Sequence, residues 1–110
     1  MEAVGIVLNI DAGKVAEFER GFREHELPIW EDYVGRGIML HAYLARMDIS
    51  TRPIKGAVQY LISVSFADGD GHHVHDADPR FQAWNEIADT FQVEAPIVTG
   101  GEIVLSAGFD

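Results

Sequence analysis

The stretch from His72 to Trp84, HHVHDADPRFQAW, gathers three of the chain's five histidines beside a run of acidic residues. Imidazole titrates near neutrality, moves protons and ligates metals through either ring nitrogen. If this segment is extended, His73 and His75 point the same way, a geometry that can ligate zinc or nickel, with Asp70, Asp76 or Asp78 as a third ligand. Because the cluster follows the turn-forming Asp68-Gly69-Asp70-Gly71, it equally fits a solvated loop or the approach to a helix N-terminus. A third reading puts His75 on a pocket rim as proton donor or acceptor. No resident metal or cofactor is expected, and His73 with His75 is the pair on which a metal site would have to be built.

Other polar residues interrupt apolar patterns. His25 continues the stripe Val15, Phe18, Phe22, which makes it either a core histidine bonded to a carbonyl or to Tyr33, or a buried base kept neutral by desolvation. His41 and Tyr43 stand two residues apart, on one face of an expected strand. With Trp30, Trp84, Phe22, Tyr33 and Phe81 on core-facing positions, these rings are either simply core or the lining of a pocket suited to a planar aromatic molecule. Asn9 breaks an otherwise apolar run, and a buried amide must be bonded to a neighbour or to a ligand. The candidates for catalysis are therefore His25, His41 and Tyr43. Those for the pocket are Asn9, Phe22, Trp30, Tyr33, His75, Phe81 and Trp84.

The elements that must position these residues follow from periodicity. Glu2 to Ile10 reads as a strand covered on both faces, and Asp11 can cap the helix after it. An amphipathic helix is expected over 12–26, interrupted at Pro28 by a kink or restart and continued to Gly35 and Gly37. Residues 38–47 and 57–67 read as a long hairpin. Asp78 followed by Pro79 starts a second helix whose stripe is Phe81, Trp84, Ile87 or Ala88, and Phe91. Pro96 closes the next connection, and 97–107 is the expected last strand, with a bulge or kink at Gly100-Gly101.

A chain of 110 residues suits one domain, and the absence of cysteine excludes disulfides, thiolate metal sites and cysteine nucleophiles. Its 18 acidic against 8 basic residues give a net charge of −10, so neither nucleic acid nor an anionic membrane is an expected partner. The opening MEAVGIVLNI has no basic n-region and is too short to span a bilayer, so a cytoplasmic location is expected.

The order strand-helix-strand-strand-helix-strand is the α+β, ferredoxin-like βαββαβ pattern, with both helices on one face of a four-stranded antiparallel sheet. Apolar residues occur at both parities, as in Ile6 and Val7, Met39 and Leu40, Val104 and Leu105. A sheet apolar on both faces needs a second cover, which predicts a homodimer packed sheet to sheet.

In this order, and in DPRFQAW at 78–84 and HELP at 25–28, the chain resembles the dimeric α/β-barrel superfamily. The likeness extends to its antibiotic-biosynthesis-monooxygenase-like and stress-responsive families. Asp-Pro followed after four residues by Phe or Trp is similar to the start of helix two in several of them. The resemblance implies a small-molecule pocket between sheet and helices. The activities it brings are cofactor-free monooxygenation, haem degradation, polyketide cyclisation and lactone isomerisation. Haem-degrading members carry an asparagine on strand one, which Asn9 matches, but also a tryptophan near the end of strand three and a histidine on helix two. Here Phe66 stands at the former position and helix two has no histidine. Cyclase-like members have a histidine where this chain has Phe81. The expected function is therefore a homodimeric protein binding a small aromatic or polyketide-like molecule, as a cofactor-independent monooxygenase or isomerase. The alternative is a non-catalytic ligand-binding or stress-associated protein with a filled core.

Overall fold

Strand β1 (Glu2–Asp11) is the centre of the molecule, because both of its edges are paired. The computed structural model describes residues 1–108. Strands β2 (Met39–Arg46), β3 (Ala57–Phe66) and β4 (Gln92–Glu102) complete an antiparallel sheet in the order β2-β3-β1-β4. The two inner strands are in register along their whole length, from Glu2 opposite Phe66 to Asp11 opposite Ala57. Alternation then sends Val4, Ile6, Leu8 and Ile10 to one face, with Tyr60, Ile62, Val64 and Phe66 beside them, where the helices pack. The other face carries Val7, Asn9, Leu61 and Ser65, with Ile97 of β4 beside Val7.

The first helical segment runs unbroken from Ala12 to Gly35 and changes pitch three times. Asp11 accepts from the Gly13 amide at 2.9 Å, capping one 3₁₀ turn that leads into α1 (Val15–Gly21). Phe22–Glu26 form a π-turn, in which the Leu27 amide reaches back to the Phe22 carbonyl, before α2 (Leu27–Gly35) resumes. Pro28, in the first turn of α2, has no amide hydrogen, and the interruption expected there is taken up as this wider turn.

The extended geometry expected for His73 and His75 is not found. Gly71–Asp76 is a short helix, α3, and on a helix two residues apart diverge by about 200°. Helix α4 (Pro79–Asp89) starts as the sequence reads, with Asp78 extended and its carboxylate accepting from the Arg80 amide at 2.8 Å. That carboxylate also accepts from the Tyr33 hydroxyl at 2.8 Å and from the Arg80 guanidinium at 2.7 Å, which ties α4 to α2. Arg80 foremost, then Tyr33, holds the Asp78 carboxyl well below the usual carboxylate range. Burial, then the Asp78 bond, pushes the Tyr33 phenol up to about 12.

The last strand begins five residues earlier than the 97–107 expected, and Pro96 lies inside it rather than closing a loop. An edge strand tolerates proline because its outer amides need no partner. Gly100 and Gly101 pair regularly with Val4 and Ala3, and the register shifts fall instead between Val7 and Ile10.

Close approach of α1 and α4 depends on Gly21. A Cβ there would stand 2.7 Å from the Trp84 ring, which is itself buried against Phe18 and Phe22. Gly21→Ala is expected to lower stability by about 1–3 kcal/mol in urea unfolding, as overpacking does. Gly35→Ala, which meets nothing within 4 Å, should change it by less than about 1 kcal/mol.

Candidate functional site

Between the helix-facing side of the sheet and helices α3 and α4 lies a cavity of ≈ 560 Å³. Its walls are chiefly apolar: Val4, Ile6 and Leu8 of β1, Phe22 and Trp30 of the first helical segment, and Trp84 of α4. Phe22 meets Trp30 and Trp84 edge-on, with centroids 5.0 and 6.1 Å apart, so three rings form one corner.

Two carboxylate–imidazole pairs sit in this apolar wall. Glu26 Oε1 and His75 Nε2 are 2.5 Å apart, and the Glu26 residue is only 3% exposed. Glu2 Oε1 lies 2.5 Å from His72 Nδ1. Helix α3 supplies both histidines, so it is fastened across the cavity at two points, to β1 and to the π-turn. The Tyr33 hydroxyl, 3.3 Å from the Val74 carbonyl, adds a third. His75 also has Phe81 beside it, centroids 4.3 Å apart, and its Nδ1 is 3.3 Å from Asp76 Oδ1. Glu26 keeps one atom in reserve: Oε2 is buried with no hydrogen-bond partner among the described residues.

The electrostatics of the pair are set by competition. Burial opposes charge on His75, but the bonds and attraction from Glu26, and then Asp76, outweigh it and raise its pKa. The two carboxylates thus favour the imidazolium form of His75 more than water does for a free imidazole.

Of the residues expected around a pocket, Phe22, Trp30, His75, Phe81 and Trp84 line the cavity. Tyr33 stands behind it, bonded to Asp78. Asn9 lies elsewhere, donating to the Ala95 carbonyl at 3.2 Å and accepting from Gln59 at 2.9 Å, a bonded amide that joins β4 to the β2–β3 hairpin side.

The three side chains expected to do catalysis are outside the cavity, each displaced by one residue of irregularity. The π-turn inserts an extra position into the helical repeat, so Glu26 faces inward while His25 is exposed and stacks on Trp84, 5.4 Å between centroids. In β2 the register slips between Met39 and His41, so Met39 stays in the core while His41 and Tyr43 turn to the face away from the helices. There His41 Nδ1 meets Ser65 Oγ at 2.7 Å and its ring stacks on Tyr43. Glu26, Glu2 and His72 were not singled out as site residues from the sequence. Only Pro28, two residues beyond Glu26, hinted at a change of pitch. Among the described residues, no group of three or more histidine or acidic side chains is placed to hold a metal ion.

The sheet order and the helices on one face define a ferredoxin-like α+β fold, shared with solved proteins described as antibiotic biosynthesis monooxygenases. A Nitrosomonas europaea protein assigned to those monooxygenases superposes with a TM-score of 0.76 at 8% identity, covering 96% of this chain and 100% of its own. One from Bordetella bronchiseptica with the same assignment gives 0.67 at 24% identity, over 94% and 98% of the two chains. SnoaB, a cofactor-independent oxygenase from Streptomyces nogalater solved as a variant, gives 0.66 at 15% identity over 97% of each. At these identities the likeness is one of fold. No family model matches the sequence, and no curated protein matches it. No helix among the described residues is long and apolar enough to cross a membrane.

Because the folded-state pKa of His75 is raised, the stability it contributes is complete below its ordinary 6.5 and is lost as pH rises through the raised value. An NMR titration should place the His75 midpoint above 6.5, and Glu26→Gln should bring it down. A wild-type midpoint at or below 6.5 contradicts the pairing.

Proposed function

We propose that this protein binds a planar aromatic or polyketide-like molecule in the cavity and removes a proton from it, with Glu26 as base and His75 as its cationic partner. The observation that carries this reading is Glu26 itself, a buried carboxylate on an apolar wall with one oxygen on His75 and the other unpartnered. A general base has to reach the proton it takes, and Oε2 is the acceptor left for that purpose.

The proton balance is simple. Glu26 takes a proton from a phenolic O–H or an activated C–H and becomes neutral, while the substrate becomes an anion beside the His75 imidazolium. The negative charge moves from carboxylate to substrate and keeps its counter-charge, which matters where water does not screen it. Such an anion has two fates. Reprotonation at another carbon is an isomerisation. Reaction with molecular oxygen turns a ring CH₂ into a carbonyl, with the second oxygen atom leaving as water. The likeness of fold to a cofactor-independent oxygenase supports the second. A 560 Å³ cavity supports a bound molecule over a filled core.

The working unit in this reading is a homodimer joined through the outer sheet face. Tyr43 and Ile97 are 46% and 47% exposed there, beside Val7 and Leu61. Val104 and Leu105, just beyond β4, are 82% and 91% exposed, adding apolar surface for a second copy to cover.

Both tryptophans of the chain line the cavity, so intrinsic fluorescence reports binding directly. Hydroxylated tricyclic aromatics should quench it saturably. Turnover, followed as oxygen uptake or as a shift in substrate absorbance, should fall about 10²–10⁴-fold in Glu26→Gln with affinity nearly unchanged. Full turnover in that variant removes Glu26 from the chemistry, and binding without turnover in the wild type leaves a carrier. Light scattering should give twice the chain mass at micromolar concentration; a monomer there removes the dimer.

A further inference from the structure

A second unpartnered acceptor lies on the same cavity wall. Gln92, the first residue of β4, lines the cavity, and its Oε1 is buried with no partner among the described residues. Its orientation is fixed by the other half of the amide. Nε2 donates to Asp89 Oδ1 at 3.1 Å, and a flipped amide would set oxygen against carboxylate, so the oxygen is the atom left over.

The two acceptors stand at opposite ends of α4. Glu26 meets His75, which packs on Phe81 in the first turn of the helix. Gln92 follows the last turn and is bonded to Asp89. From Phe81 to Asp89 is eight residues, about 12 Å at the rise of an α-helix. Ile6, Leu8 and Ala88 of the same lining offer a ligand apolar contact, and Asn85 of α4 adds one polar side chain between the two ends of that helix.

Resting on the function proposed above, we infer that the cavity selects an elongated molecule with a hydrogen-bond donor at each end, and that Gln92 reads the end remote from Glu26. An acceptor buried without a partner is a cost that a donor on a bound molecule removes. Both oxygens are covered by their neighbours, so a ligand meets each after a partial turn about the last torsion that keeps the bond to His75 or to Asp89. That torsion is broad in glutamate and glutamine, so a turn of a few tens of degrees, well short of a flip, costs little. Three fused rings with a hydroxyl on each outer ring match the span. Gln92 is a specificity-determining residue in this scheme and takes no part in the proton transfer.

The test uses three probes in tryptophan-fluorescence titrations. They are a dihydroxyanthraquinone with its hydroxyls on opposite outer rings, the monohydroxy compound, and anthraquinone itself. The wild type should bind the dihydroxy compound about tenfold more tightly than the monohydroxy one, and Gln92→Leu should bind the two alike. Gln92→Met is the substitute if the leucine variant fails to fold. Equal affinity of the wild type for both compounds overturns the two-ended reading. A tenfold preference that survives at position 92 overturns the role of Gln92. If none of the three binds, the proposed function falls with it; if all three bind alike, that function stands and this inference alone is lost.

Discussion

A carboxylate in an apolar wall has to be bonded or discharged, and this architecture answers that constraint at Glu26. Its partner comes from α3, a six-residue helix too short to hold its place by its own hydrogen bonds. The Glu26–His75 pair therefore works in both directions: it holds the charge in the cavity and holds α3 across it. The neighbouring supports follow from the same need. Tyr33 bonds both the α3 backbone and the capping carboxylate of α4, and Arg80 bridges that cap to Asp32 on α2 at 2.9 Å. Remove the central pair and one side of the cavity loses its anchor.

The general form of the fold was legible in the sequence, and the reason is the strength of its local signals. β1 is a near-continuous apolar run, β3 alternates apolar and small or polar residues, and Asp78-Pro79 fixes the start of α4. The site was half legible. The aromatic wall followed from helical spacing, because Phe22, Trp30 and Trp84 are large, apolar and core-facing. The polar residues did not follow, since their placement depends on two insertions of a single residue. A π-turn exchanges His25 for Glu26, and a slip in β2 sends His41 and Tyr43 to the other face of the sheet. Periodicity assumes a constant repeat, and one extra residue defeats it without leaving a compositional trace. The misplaced β4 has a different origin. Proline reads as a loop residue, and only the knowledge that this strand lies at an edge makes Pro96 admissible within it.

A second polar network shows that not every ionisable cluster here faces the cavity. Tyr60 and Arg46 both donate to Glu19 Oε2, so this oxygen is shared by two partners. Burial, then the Glu19 bond, pushes the Tyr60 phenol up to about 12, while Tyr60 and Arg46 hold the Glu19 carboxyl below its ordinary range. A completed network of this kind binds α1 to the β2–β3 hairpin. It contrasts with the cavity, where Glu26 and Gln92 each retain an unused oxygen.

The composition of β4 bears on how copies of this chain can meet. Edge strands are templates for open-ended polymerisation, because each offers a free row of amides and carbonyls to the next molecule. Pro96 removes one amide from that row, the shifted register near Asn9 spoils its spacing, and Glu94 and Glu102 add like charge. Growth of the sheet from this side into a fibril is thereby disfavoured. What the strand leaves attractive is a face, the one that the homodimer proposed above would cover, and a pairing of two faces is closed where a pairing of edges is open-ended.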